Sequence, residues 1–326
     1  MADHDAFAEK LPYKTTPLNI PGAHTTPFPP KGFDPMTASP KELVQQGLFI
    51  RRPGQGDPPQ MVAAYKKIFG RPFKAEDRIV PHLVPQVGKT HILKGKKKTE
   101  GGFTDNAWSG GVIDKGTWGT VTAEWVIPTV SKPKEPQGNE GGWNSSSWIG
   151  IDGFGNNDVL QIGIEQRVSA KGVASYVAWV EWWVAGGDVS KFPYIDQANI
   201  ANFPVSPGQT INCSVQYVNN KTAGLLQMIN ETTNHHFTIT LEPPTGAAFN
   251  GSSAEWIMEA PDGGEPTSSL PKFTSVDFKG AFACSPDDKT TGNPQNGDFI
   301  NIVSGNGTVL TKVTLDPDEV IIKFIG

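Results

Sequence analysis

The stretch ASYVAWVEWWV, residues 174–184, decides the fold class. Aromatic and β-branched residues crowd it, which suits a pleated, half-buried strand. At a strand's two-residue period, Glu181 shares a face with Val177, Trp179 and Trp183. Outward along the chain, TVTAEWVIP (120–128), QTINCSVQYV (209–218), HFTITLEPP (236–244) and SAEWIMEA (253–260) read the same way. So do SVDFKGAFA (275–283), GTVLTKVTL (307–315) and EVIIKFI (319–325), and Gly, Asn, Asp or Pro clusters separate them all. Many short strands with no helical pattern between them predict an all-β sandwich or barrel over residues 104–326.

Residues 1–103 have another character. TTPLNIPG (15–22) and TTPFPPKGFDP (25–35) are Pro- and Thr-rich, the composition of extended chain. SPKELVQQGLF (39–49) predicts a short helix, with Ser39 as N-cap, Pro40 first in the helix and Glu42 in its first turn. In PPQMVAAYKKIFG (58–70), Met61, Ala64, Tyr65 and Ile68 recur at helical spacing and Gly70 ends the pattern. Lys94–Glu100, followed by Gly101 and Gly102, reads as a linker. The chain carries −5 overall, with +7 in residues 1–100 and −12 beyond, and all nine Trp follow residue 107. A basic arm beside an acidic body predicts docking of the one on the other. The lysines are mostly scattered and few aromatics interleave with them, which argues against nucleic acid.

No apolar run approaches the roughly 18 residues of a membrane span, and the first ten residues, MADHDAFAEK, are no secretory signal. Two cysteines, Cys213 and Cys284, exclude a disulfide framework and four-thiolate metal sites, leaving one disulfide or two buried thiols. Six Asn-X-Ser/Thr sequons (Asn144, Asn212, Asn220, Asn230, Asn250, Asn306) matter only on a glycosylating route.

Strand parity also sorts the polar groups. In VLQIGIEQ (159–166), Leu160, Ile162 and Ile164 point one way, and Gln161, Gly163 and Glu165 the other. In AEWIMEAP (254–261), Glu255, Ile257 and Glu259 oppose Trp256 and Met258. Three strands thus each place carboxylates or an amide on one face, two of them beside apolar or aromatic residues, the makings of a binding groove. His235 and His236 are adjacent and face opposite ways, a poor metal pair. The other histidines lie in the N-terminal segment, so only His235 and His236 are expected near the strands, where a Ser–His triad would need its histidine. Glu255 and Glu259 are about 13 Å apart along a strand, beyond the roughly 5–9.5 Å of glycosidase carboxyl pairs.

SSSWIGIDG (145–153), DVLQIG (158–163), YVAWVEWW (176–183) and AEWIMEAP (254–261) occur in the order found in the glutamic peptidases, or eqolisins, and NAWSGGVI (106–113) resembles the start of their mature domain. The resemblance covers roughly residues 104–326. It implies a concanavalin A-like sandwich of two antiparallel sheets, here preceded by a partly helical, Pro-rich segment. It implies an acid-acting endopeptidase with Gln161 and Glu259 as catalytic residues, and Trp108, Trp148, Asp152, Glu181 and Glu255 around the substrate. The expected substrates are polypeptides, acted on by a monomer with no cofactor or metal and without binding membrane or nucleic acid. The alternative reading is a catalytically inactive or carbohydrate-binding sandwich. Family members are secreted zymogens, which predicts an extracellular enzyme whose residues 1–103 form a removable basic prosegment covering the groove. Val177 departs from the family, whose members carry an acidic residue there.

Overall fold

The computed structural model describes residues 7–46, 48, 52–57, 59–70, 74–86, 91–93, 96–134, 142–156, 158–186, 195–218, 222–261, 270–287 and 289–326. Two ten-stranded sheets face each other. The front sheet runs, edge to edge, Leu83–Pro85, Ile195–Ile200, Ala174–Val184, Asp158–Val168, Trp143–Ile151, Ala254–Glu259, Trp108–Ile113, Asp298–Ile302, Gly102–Asp105 and Lys97–Thr99. All its pairings are antiparallel except that of Asp298–Ile302 with Gly102–Asp105. The back sheet centres on Ala223–Asn230, Thr210–Val218, Thr120–Val126 and Val276–Cys284.

Parity builds the core. Leu160, Ile162, Ile164, Ala178, Val180, Trp182, Trp256 and Met258 leave the front sheet on one side and meet Val121, Trp125, Ile211, Val215, Leu226, Met228, Phe237 and Phe278 from the back sheet. The Trp125 ring lies 5.0 Å from that of Phe278, and the indoles of Trp125 and Trp256 donate to Ser147 Oγ and the Thr122 carbonyl. These two indoles thus bring both apolar area and a satisfied N–H. Cys213 and Cys284 are both buried as thiols and form no disulfide with each other.

The N-terminal segment wraps both sheets. Ser39 caps helix Pro40–Gln45 through a reciprocal capping box with Glu42. Helix Pro59–Phe69 buries Met61, Ala64, Tyr65 and Ile68. This face lies against the outer side of the back sheet, where Met61 and Ala64 meet Phe282 and Cys284, and Tyr65 and Ile68 join Ile229. Phe7, Leu11 and Tyr13 cover Val218, Ala223 and Leu225. Strand Ala23–Thr25 adds to the edge strand His236–Leu241. Arg78 fastens this corner with hydrogen bonds to Thr25, Thr26 and Thr238. The chain then supplies Leu83–Pro85 at one edge of the front sheet and Lys97–Thr99 at the other.

Two expectations change. Lys97–Thr99 and Gly102–Asp105 pair as strands across Glu100 and Gly101, so the described part of the expected linker is sheet, and a boundary at 103/104 falls inside a strand. Lys94 lies outside the described residues. The basic arm also docks mainly by strand pairing and apolar burial. Lys96 sits over the Phe154 ring, 3.8 Å from its centre, and Lys67 pairs with Glu124 on the back sheet.

Candidate active site

The outward face of the front sheet carries the polar groups that parity assigned to it. Gln161 registers with Glu181 on one neighbouring strand and Gly150 on the other. Glu259 registers with Ser146 and Trp108. Gly163 lies between Trp148 and Trp179. A Cβ at Gly163 would stand 2.5 Å from the Ser147 carbonyl oxygen and from Trp148 Cβ, so no larger residue fits beneath the indole. Trp148 can therefore lie across the sheet and donate its indole N–H to Glu259 Oε2 at 2.8 Å. Trp108 packs edge-on to it, ring centres 4.8 Å apart at 77°.

His91 sits at the centre of this face. Its ring stacks on Trp179, 3.9 Å between centres and 6° from parallel. Nδ1 is 2.8 Å from Glu259 Oε2, and Nε2 is 2.7 Å from Gln197 Oε1. The His91 backbone N–H donates to Glu181 Oε2 at 3.1 Å, and Gln161 Nε2 donates to the His91 carbonyl at 3.1 Å. The same Gln161 amide reaches Glu181 Oε2 at 2.5 Å. Leu93 packs against the cluster containing Trp108, Trp148 and Phe154. Gln161, Glu181, Glu259 and His91 are all fully buried.

The hydrogen bonds fix the charges. Gln197 Nε2 donates to Glu165 Oε2 and Asn199 Oδ1, at 2.9 and 2.7 Å, which turns its carbonyl toward His91. Both ring nitrogens of His91 thus face acceptors, and only an imidazolium donates twice. Burial alone would lower the His91 pKa, but the charge and hydrogen bond of Glu259, the charge of Glu181 and the Gln197 contact outweigh it and raise it above its ordinary value. Burial pushes Glu181 up to about 8, with the charges of Glu259 and Asp196 adding and that of His91 opposing. A protonated Glu181 beside an ionised Glu259 agrees with one cation facing one anion. Beyond Gln197, Glu165 is held in a two-point pair by Arg167, at 2.7 and 3.0 Å.

Trp108, Trp148, Gln161, Glu181 and Glu259 meet around His91. Asp152 and Glu255 form a separate group. Asp152 adopts φ 70°, a left-handed conformation that Asp tolerates better than most residues. Its carboxylate accepts from the Tyr217 hydroxyl, the Gly251 and Ser252 amides, the Ser252 hydroxyl and the Asn156 amide. It therefore knots the 152–156 turn to the 249–253 loop. Burial, with the charge of Asp152 adding, lifts Glu255 well above the ordinary carboxyl range.

His91, Gln197 and Glu165 are the residues that sequence reasoning missed. Glu165 and Gln161 share a face by parity, so that signal was present. His91 offered none, lying 168 residues from Glu259 outside any periodic segment, and the expectation that only His235 and His236 come near the strands is corrected by its position. Those two residues lie beside the back sheet, where strand His236–Leu241 begins.

Residues 106–324 match the Peptidase A4 family. Aspergillopepsin-2 of Aspergillus niger is 28% identical over 260 residues, 75% of this chain and 86% of that protein. Scytalido-glutamic peptidase, solved with a transition-state analogue inhibitor, superposes with TM-score 0.53 at 20% identity, over 68% of this chain and 98% of its own. SCP-B, a member of the eqolisin family solved with the tripeptide Ala-Ile-His, superposes with TM-score 0.51, also at 20% identity, over 68% and 98% of the two chains.

Proposed function

From the premise that this chain belongs to the Peptidase A4 family and is a glutamic-type endopeptidase acting on polypeptides, we propose that Gln161 and Glu259 are its catalytic pair and that it works in acid. The observation that carries this reading is the contact of both residues with His91, one with its carbonyl and the other with its side chain. Gln161 donates to the His91 carbonyl as it would to a scissile carbonyl, while Glu259 holds the side chain of the same residue. Gln161 Oε1 and Glu259 Oε1 are buried and accept no hydrogen bond among the described residues, so both offer a lone pair to a water.

The reaction follows from those groups. An amide has no titratable proton, so Gln161 orients the water and donates to the oxyanion. Ionised Glu259 takes a proton from the water as its oxygen adds to the carbonyl carbon. The resulting carboxylic acid then protonates the leaving nitrogen, the C–N bond breaks, and Glu259 returns to the carboxylate. No acyl-enzyme forms. Trp148 keeps Glu259 in place through its 2.8 Å bond.

Residues 1–103 act in this reading as a prosegment of an extracellular enzyme, with the inhibitory contact concentrated at His91. Digestion of labelled casein at about pH 3 tests the function. Hydrolysis should resist pepstatin, chelators and traps for nucleophilic Ser and Cys, and should vanish in Glu259→Gln. Strong chelator inhibition, or full activity in Glu259→Gln, would reject the assignment.

A further inference from the structure

We propose that His91 is a self-protecting plug, a residue that lies in the active site as a substrate does yet keeps its own peptide bond from being cut. This rests on the assignment of Gln161 and Glu259 above. The His91 carbonyl accepts from Gln161 Nε2 and its backbone N–H donates to Glu181. The peptide unit from His91 to Ile92 therefore occupies the position of a scissile bond. Two residues on, Leu93 enters the Trp108, Trp148 and Phe154 cluster. A peptide held this way would ordinarily be cleaved.

The imidazole prevents it. Its Nδ1 sits on Glu259 Oε2, the carboxylate that must take a proton from water, and its Nε2 is tied to Gln197 Oε1. Stacking on Trp179 fixes the ring plane, and Gln197 is itself fixed by Glu165 and Asn199. The general base is thus held as the counter-ion of the residue whose bond it would cut. Since Trp148 already bonds Glu259 Oε2, the imidazolium adds a second donor to that oxygen and occupies the lone pair a water would need there. Among the described residues, the charged and titratable groups around His91 are Glu259, from strand Ala254–Glu259, and Glu181, from Ala174–Val184. The Glu165–Arg167 pair lies beyond Gln197, and Asp196 acts on Glu181.

The plug differs from general coverage by a basic arm in what one substitution does. His91→Ala should turn the segment from inhibitor into substrate. The test uses the full chain as wild type, Glu259→Gln, His91→Ala, His91→Gln and His91→Ala/Glu259→Gln, each mixed with labelled casein at about pH 6 and, as a control, at about pH 3. Mass spectrometry follows each chain's own cleavage. Wild type should show a lag and an intact bond after residue 91. His91→Ala should hydrolyse casein without lag, at least about tenfold faster at the start, and be cut after residue 91. His91→Gln keeps an amide donor but no charge, and should fall between them. The double variant should be inactive and uncut. Equal initial rates for wild type and His91→Ala, both abolished by Glu259→Gln, overturn the plug and leave the peptidase assignment standing. So does cleavage of wild type after residue 91 as its first event. Absence of Glu259-dependent hydrolysis in every chain at every pH overturns the assignment itself.

Discussion

At the scale of single residues, the site is a contest over one carboxylate. Trp148 and His91 both donate to Glu259 Oε2. The His91–Glu259 pair is fully buried on both sides, where losing one partner leaves an uncompensated charge. This gives closure a pH dependence of defined sign. The His91 pKa is raised in the closed form, so its contribution is complete below the ordinary value of about 6.5 and is lost as pH rises through the raised one. Glu181, at about 8 against an ordinary 4.5, has the same sign: its contribution is complete below 4.5 and gone above about 8. Closure therefore weakens as pH rises, and the lag before hydrolysis should be longest in mild acid and shorten toward about pH 8. In Glu259→Gln, NMR titration should show the His91 imidazole losing its proton at lower pH, because burial then acts without the anion. Catalysis has its own test. Gln161→Ala should lower kcat/KM by about 10²–10³-fold through loss of an oxyanion donor, and Glu259→Gln by more, with far-UV circular dichroism unchanged in both.

At the scale of elements, strand parity made half of the site readable. Leu160, Ile162 and Ile164 entered the core and Gln161 and Glu165 the opposite face, because a strand's period leaves only two choices per residue. Glu181 and Glu259 followed by the same rule. The helices announced themselves through Ser39 and Glu42 at one N-terminus and the Met61, Ala64, Tyr65, Ile68 stripe in the other. Parity says nothing about what a non-periodic segment will do. Strand Leu83–Pro85 and the His91 side chain are each satisfied by partners more than about 100 residues away. No local pattern encodes those pairings. Asp152 shows a second limit, since family likeness puts it among substrate-lining residues and its five donors make it a knot between loops. Asp152→Ala should cost about 3 kcal/mol or more in denaturant unfolding, because charge-assisted hydrogen bonds and a buried tyrosine hydroxyl lose their acceptor. If Asp152 serves the loops alone, KM of the folded fraction should hold while stability falls. A raised KM at unchanged stability would return it to the substrate.

At the scale of the whole molecule, the N-terminal segment is bound in two different ways. Over the front sheet its described residues pair as short strands at the two edges, Leu83–Pro85 and Lys97–Thr99, and lay His91 and Leu93 on the face between them. Over the back sheet it buries Phe7, Leu11, Tyr13, Leu43, Met61, Tyr65, Ile68 and Phe69, extends the sheet through Ala23–Thr25, and locks Arg78 into a threonine cluster. Burying each of those side chains is worth about 1.5–3 kcal/mol, on the order of 10–20 kcal/mol together. That is comparable to or larger than the roughly 4–15 kcal/mol of freedom lost when two chains associate. Cutting the chain near residue 100 would remove the covalent link without removing this burial. Opening the site and shedding the arm are then separate events. A chain nicked there at mild pH should elute from size exclusion at the position of the intact protein, run as two fragments on a denaturing gel, and hydrolyse peptides once His91 leaves Glu259. Elution of the large fragment alone, without acid or denaturant, would show that the front-sheet contacts hold the arm and the back-sheet burial does not.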